Sequence, residues 1–294
     1  MADYIITTCS TADISNEHMQ ARSIEYVPFS FYLDGKENFD DLGKTIKSKD
    51  FYQMMRDGVD TKTSQPSPES LVTFFEKYLS QGKDVIHLML SSGISGAMNA
   101  GLIAKKELME KYPERKLYIV DSLGASSGMG LLVDKMADLR DEGMSIDELY
   151  SWTEANKLKL HHWFFTTDLT FFVKGGRVSK VAGWFGTVLK ICPLLNVDVN
   201  GKLIPREKVR GEANVIKRTV EKMKENAENG LEYSGKCYIS HANCLENATK
   251  VKDLILESFK NVKEVLINDI GTTIGSHTGP GTVALFFFGK DRID

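Results

Sequence analysis

From Ser67 to Ser122 the chain alternates helical stripes with short apolar runs, and this rhythm constrains its fold more than any other feature. Ser67-Pro68 pairs an N-cap serine with a proline at the first helical position, where the missing N–H costs little. Leu71, Phe74, Phe75, Tyr78 and Leu79 then recur at helical spacing until Gly82. Val85 to Leu90 reads as a buried strand that opens into Ser91-Ser92-Gly93-Ile94-Ser95-Gly96. A second helix follows, expected to turn Leu102, Ile103 and Leu108 inward, and it ends before Pro113. Leu117 to Val120 is the next strand, with Asp121-Ser122 at its carboxyl end. Tyr4 to Thr7 is an opening strand that runs into Thr8-Cys9-Ser10-Thr11, with Asp13 behind it. Strand, loop, helix, strand is the pattern of a parallel α/β sheet.

The pattern changes near residue 145. Ser145-Ile146-Asp147-Glu148 is a capping box that opens a helix to about Leu160. His162 to Thr167 reads as a strand, followed by an aromatic-rich segment holding Phe171, Phe172, Trp184 and Phe185. Asn200-Gly201 between two apolar runs predicts a type I′ hairpin, hence antiparallel pairing. Helices are expected over Glu212 to Asn229 and Leu245 to Phe259. The end reads as a strand Val265 to Asn268, a loop Gly271 to Gly281 and a strand Thr282 to Phe288. The chain has 294 residues, about two domains at ~150 residues each. The expected fold class is therefore α/β in two domains. Residues 1–160 are expected to form an N-terminal parallel α/β domain and 161–294 a C-terminal mixed α+β domain with antiparallel strands.

Composition removes several classes. Hydrophobic residues at 42% and charged residues at 26% match soluble globular proteins and exclude a disordered or fibrous chain. A net charge of −3 is no footprint for a nucleic-acid binder. Cys9, Cys192, Cys237 and Cys244 form no CxxC pair, so neither a zinc site nor a disulfide framework is expected. The first residues show no basic and apolar signal pattern, and Val283 to Phe288 is far shorter than the ~20 residues of a spanning helix. The expectation is a cytoplasmic protein with no membrane span, metal or cofactor.

Three loops are dense in hydroxyls and glycine: Thr63-Ser64-Gln65-Pro66-Ser67-Pro68, Ser91 to Gly96, and Gly275-Ser276-His277-Thr278-Gly279-Pro280-Gly281. Hydroxyls and free N–H groups at helix N-termini suit an anion such as a carboxylate or phosphate. Taken singly, Thr63 and Ser64 could merely shape a turn and Ser95 could merely cap a helix. The loops contain no GxxxxGK[ST], and no GxGxxG follows the first strand. Gly93-Ile94-Ser95-Gly96-Ala97 approaches a nucleophile elbow, which keeps a serine esterase or thioesterase using Ser95, with His277 as base, as an alternative. A deep apolar tunnel could be walled by Phe164 to Leu189, with Phe171, Phe172, Val173, Trp184, Phe185, Val188 and Leu189, and Met89 or Met129 could add adaptable surface. Ordinary core is the competing reading of that stripe. His161-His162 reads as an exposed pair, His87 as a hydrogen-bonded core residue, and His241 as a cap at a strand end.

These blocks, together with Ser10-Thr11-Ala12-Asp13, Asp121-Ser122, Gly175-Gly176-Arg177-Val178 and Lys208-Val209-Arg210-Gly211, resemble the DegV family over essentially the whole chain. The resemblance implies two α/β domains with a long-chain fatty acid buried between them. It implies a chain that is not itself an enzyme but presents the acyl carboxylate to a separate ATP-dependent fatty acid kinase and then carries the acyl phosphate. The head-group residues it implies are Thr63, Ser64, Ser95, Gly96, His277 and Thr278, with Thr63 and Ser95 hydrogen-bonded to the carboxylate and His277 close by. It also points to Arg177, Arg206 and Arg210 as an edge that meets the kinase. A salt bridge pinning the glycine turn is the competing reading of Arg177, and simple solvation that of Arg206. Cys9 stands where the family's pattern has an aspartate, so neither Cys9 nor Asp13 is taken as a site residue, and Cys9 reads as a small buried filler. A ligand sensor in which two domains close without chemistry is a third reading.

Overall fold

The strand-helix alternation expected between Ser67 and Ser122 is realised in the computed structural model, which describes residues 4–178 and 191–292. In chain order the elements are β1 (Tyr4–Cys9), α1 (Asn16–Ala21), β2 (Ile24–Val27), β3 (Ser30–Leu33), β4 (Lys36–Phe39), α2 (Ser48–Arg56), β5 (Thr61–Ser64), α3 (Pro68–Leu79), β6 (Asp84–Met89), α4 (Ala97–Lys111), β7 (Leu117–Asp121) and α5 (Ser126–Asp141). There follow α6 (Ile146–Asn156), β8 (Leu160–Phe165), α7 (Thr170–Lys174), β9 (Ile191–Val197), β10 (Leu203–Arg210), α8 (Glu212–Asn226), β11 (Lys236–His241), α9 (Leu245–Ser258), β12 (Glu264–Asp269), α10 (Thr272–Thr278) and β13 (Val283–Phe288).

The N-terminal region holds a parallel sheet in the order β2-β1-β6-β7, as the strand-helix rhythm requires. The C-terminal region holds a mixed sheet in the order β10-β9-β8-β13-β11-β12, in which only β11 and β12 run parallel. A small antiparallel sheet, β4-β3-β5, was not anticipated. It is tied to the C-terminal region, because Phe31 of β3 and Phe51, Tyr52 and Met55 of α2 pack in one cluster with Ala242 and Ile270.

The local signals act as expected at several points. Ser67 accepts from the N–H of Ser70 and starts α3, whose Leu71, Phe75, Tyr78 and Leu79 are buried. Ser145 and Glu148 form the reciprocal capping box of α6. His87 is buried on β6, with Nδ1 2.8 Å from Thr7 Oγ1. Cys9 is fully buried beside it, and burial pushes its thiol up to about 12.

Other expectations are corrected. Leu102 and Ile103 point outward, 47% and 48% exposed, and only Leu108 of the three faces the core. The buried face of α4 is Ala97, Ala100, Gly101, Ala104 and Leu108. A Cβ at Gly101 would lie 2.9 Å from Met89 Cε and 3.2 Å from Ile119 Cγ2, so small residues let the helix lie directly on β6 and β7. The β9–β10 turn is not type I′. Gly201 has φ +71° but Asn200 has no positive φ. Gly201 N–H donates to Asp198 O (3.1 Å) and Asp198 N–H to Lys202 O (2.9 Å), a type I turn closed by a left-handed glycine. The segment expected as the loop Gly271 to Gly281 contains α10. His161 and His162 are buried, 5% and 2% exposed, because β8 is an inner strand of the larger sheet. Met89 and Met129 belong to the main core and not to a cavity wall.

The largest omission is α5, which no periodic stripe announces. Twelve of its residues are buried, Asp134 among them, so no single apolar stripe marks an inner face. A Cβ at Gly128 would fall 2.4 Å from His162 Nε2, and one at Gly130 would fall 2.5 Å from Ala12 O. Those glycines let α5 pass between the first turn of the chain and the strands β8 and β13.

Candidate functional site

The hydroxyl-rich segments predicted from the sequence converge on one cavity of about 310 Å³. Thr63, Ser64, Ser95, Gly96, His277 and Thr278 all line it, as does Arg177. Thr63 and Ser64 come from β5, Ser95 and Gly96 from the loop that opens α4, and His277 and Thr278 from the last turn of α10. A strand end, the loop before one helix and the last turn of another therefore supply the polar groups. The rest of the wall is largely apolar, including Phe29, Ile94, Phe164, Phe172, Ile274 and Phe286. Phe164 and Phe172 stack at 5.7 Å. Phe171 packs over Gly279 instead of lining the cavity. Trp184, Phe185, Val188 and Leu189 lie outside the described residues.

His277 Nε2 is 2.7 Å from Thr63 Oγ1 and forms the central hydrogen bond of the polar end. Its Nδ1 is buried without a hydrogen-bond partner. Burial, reinforced by the neighbouring Arg177 charge, draws the imidazole down to about 4 and keeps it neutral near pH 7. Gly175 makes room for the ring: a Cβ there would stand 2.4 Å from Nδ1. Ser95 Oγ donates to Gln65 Oε1 (3.3 Å) and accepts from the N–H of Ala97 (3.2 Å). Ser95 thus does cap the start of α4, and it does so from the cavity wall. Thr278 Oγ1 is buried without a partner.

Arg177 is half-buried, with Nε donating to Ile94 O (3.3 Å) and Nη1 to Gly175 O (2.5 Å). Among the described residues it makes no salt bridge, and it lines the cavity, whereas Arg206 and Arg210 are not among the lining residues. Those two lie on β10, the outer strand of the larger sheet, with Arg206 Nε donating to Asn196 Oδ1 (2.8 Å). Residues that the sequence did not mark include Gln65, Ser126 and His162, all on the cavity wall. Gln65 sits inside a loop already singled out, whereas His162 and Ser126 gave no local signal. The N–H of Ala125 donates to His162 Nε2 (3.4 Å), so its Nδ1 carries the proton and donates to Leu160 O (3.3 Å). Ser126 adopts φ +54° and donates to Asp13 Oδ2 (2.5 Å), which places the buried Asp13 directly behind the wall. Among the described residues no group of three or more His, Cys, Asp or Glu could hold a metal ion, and no helix is long and apolar enough to cross a membrane.

The fold and the site define an α/β protein with a parallel and a mixed sheet and an apolar cavity carrying polar groups from both regions. The chain belongs to the DegV family: a model described as "Uncharacterised protein, DegV family" matches residues 4–290. It is 38% identical to a DegV domain-containing protein of Clostridium perfringens over 292 residues, 99% of each chain. It is 33% identical to a protein of Thermotoga maritima named as a fatty acid-binding protein, over 279 residues and 93% of each chain. Among solved structures it is similar to a DegV lipid binding protein of Thermotoga maritima, with a TM-score of 0.86, 29% identity and all of both chains covered.

Proposed function

We propose that this chain binds a long-chain fatty acid in the 310 Å³ cavity, with the acyl chain among Phe29, Phe164, Phe172 and Phe286 and the carboxylate at Thr63, Ser95 and His277. In this reading residues 1–160 and 161–294 are the two domains that enclose it. The observation that carries the proposal is the Thr63–His277 pair: a neutral, buried imidazole and a hydroxyl on the wall of a largely apolar cavity. A buried carboxylate needs such partners, since each unpaired buried polar group costs ~1–3 kcal/mol. The fatty acid-binding relative supports the same reading.

The finer proposal is that the bound acid is handed to a separate ATP-dependent kinase. A carboxylate oxygen attacks the γ-phosphorus of ATP, the C–O–P link of the acyl phosphate forms, and the bond to ADP breaks. The chain then carries the acyl phosphate. Arg206 and Arg210, on the outer strand, supply the docking edge, since arginine forks pair well with carboxylates. The esterase reading receives no support from the geometry: Ser95 Oγ is bonded to Gln65 and Ala97, and His277 Nε2 to Thr63.

The test is mass spectrometry of an organic extract of the purified protein, followed by the same measurement on Thr63→Ala, Ser95→Ala and the double variant. Stoichiometric fatty acid in the parent, less in each single variant and almost none in the double is expected. An empty parent with ester turnover, or single variants with full occupancy, would overturn the reading. Arg206→Ala and Arg210→Ala should keep the acid but slow kinase-dependent phosphorylation. Normal phosphorylation in both would remove the docking edge.

A further inference from the structure

Ser91 is fully buried and lies outside the cavity lining, yet it organises the loop that carries Ser95. Its carbonyl accepts from the N–H groups of Ile94 (3.2 Å) and Ser95 (3.1 Å). Its hydroxyl accepts from the N–H of Gly93 (3.1 Å) and donates to the carbonyl of Gly201 (2.8 Å). Gly201 is the tip of the β9–β10 hairpin, 110 residues away in sequence. The hydroxyl therefore closes the loop on itself and ties it to a distant element.

The tie is a close one. A Cβ at Gly93 would lie 2.4 Å from Asn200 O, and a Cβ at Gly201 would lie 2.0 Å from Ser91 Oγ. The tip is also held from its own side. Asp198 Oδ1 accepts from the N–H groups of Asn200 (2.9 Å) and Lys202 (2.8 Å). Arg292, itself 5% exposed, donates from Nη1 to Val197 O (3.3 Å) and from Nη2 to Leu123 O (3.0 Å). Val197 and Leu203, on either side of the turn, line the cavity. One hairpin thus walls the cavity and braces the loop beneath Ser95.

We infer that Ser91 is a positioning residue for head-group binding, holding Ser95 in place by anchoring its loop to the tip of the β9–β10 hairpin. The inference rests on the fatty-acid reading above. Besides its N–H bond to the Ser91 carbonyl, Ser95 is fixed by the Ala97 and Gln65 contacts of its hydroxyl, and a binding group needs its supporting shell held tightly to act. Loss of the Ser91 hydroxyl frees the loop without removing any cavity-lining atom.

The experiment measures release of radiolabelled palmitate and oleate from the full chain, in the parent, Ser91→Ala, Ser95→Ala and the double variant. Ser91→Ala should release the acid about tenfold faster, the size of one ordinary hydrogen bond. Because Ser91 acts through Ser95, the double variant should release it no faster than Ser95→Ala alone. A purely structural role would make the two effects multiply. Gly93→Ala gives a second route, since it pushes the hairpin tip away while leaving the Ser91 side chain in place, and it should match Ser91→Ala. Release from Ser91→Ala and Gly93→Ala at the parent rate, or a multiplied effect in the double variant, would overturn the inference. A parent that retains neither acid would instead overturn the fatty-acid reading itself.

Discussion

Asp13 shows how much a single residue's role depends on what folds over it. The sequence places it after a hydroxyl-rich turn, with nothing to separate a site residue from a turn former. In the structure it is 4% exposed and takes φ +45°. It accepts from Ser126 Oγ, while its other carboxylate oxygen has no hydrogen-bond partner. Burial raises its proton affinity well above the ordinary value of 3.8, and the nearby Asp40 and Asp269 push in the same direction. A carboxyl group raised in the folded state contributes stability at low pH that is lost as pH rises. Asp13→Asn removes that charge and keeps an oxygen for Ser126. It should stabilise the protein by about 1–3 kcal/mol at neutral pH, with the gain growing as pH rises. Urea unfolding midpoints at several pH values check this, and a destabilised variant at neutral pH would contradict it. His277 illustrates the opposite case: the motif was legible, and its residue number was already a candidate. Its neutrality and its pairing with Thr63 come from burial and from a residue 214 positions away.

At the scale of elements, α4 separates pattern from packing. Leu102 and Ile103 follow helical spacing well enough to suggest an inward face, but Ala100, Gly101 and Ala104 occupy the contact with the sheet. Small residues win that face because they let the helix axis approach β6 and β7. Replacing Leu102 and Ile103 together by lysine should therefore shift stability by no more than about 0.5 kcal/mol per site. Leu108→Ala, on the buried face, should cost about 2–5 kcal/mol. Thermal or denaturant melts of both variants test the assignment, and a large loss in the lysine pair would restore the inward reading. The same lesson holds for α10, where a stretch rich in glycine and hydroxyl residues reads as a loop. Its seven residues are helical where α7, α2 and the strands β3 and β5 of the small sheet pack against them.

For the whole molecule the buried imidazoles dominate the acid response. Burial draws His87 down to about 3 and His161 to about 4, with His277 likewise near 4, and His162 is lowered well below its ordinary value. Each stays neutral in the folded protein and gains a proton in the unfolded chain below about pH 6.5. The unfolded state then binds more protons, so stability falls as pH drops. Asp134 adds to this only below about pH 5, because its bonds to His18 and Lys236 outweigh burial, hold it below the ordinary carboxylate range and are lost in acid. Asp13 and Asp40 oppose it, being raised. The expected net result is a melting temperature that decreases from about pH 7.5 to about pH 5, measured by calorimetry, and a flat or rising value would count against it. By itself the sequence determined the parallel N-terminal sheet, the C-terminal hairpin and the capped helices, and it singled out the hydroxyl-rich loops, whose head-group assignment came from the family resemblance. It could do so because capping, strand length and hydroxyl-rich loops are local signals. Only the tertiary structure decided that α5 passes through the centre, that His162, Ser126 and Arg177 reach the cavity, and that Ser91 meets Gly201. Each of those depends on contacts between residues far apart in the chain, made by glycines and small side chains whose role is the space they leave for a neighbour.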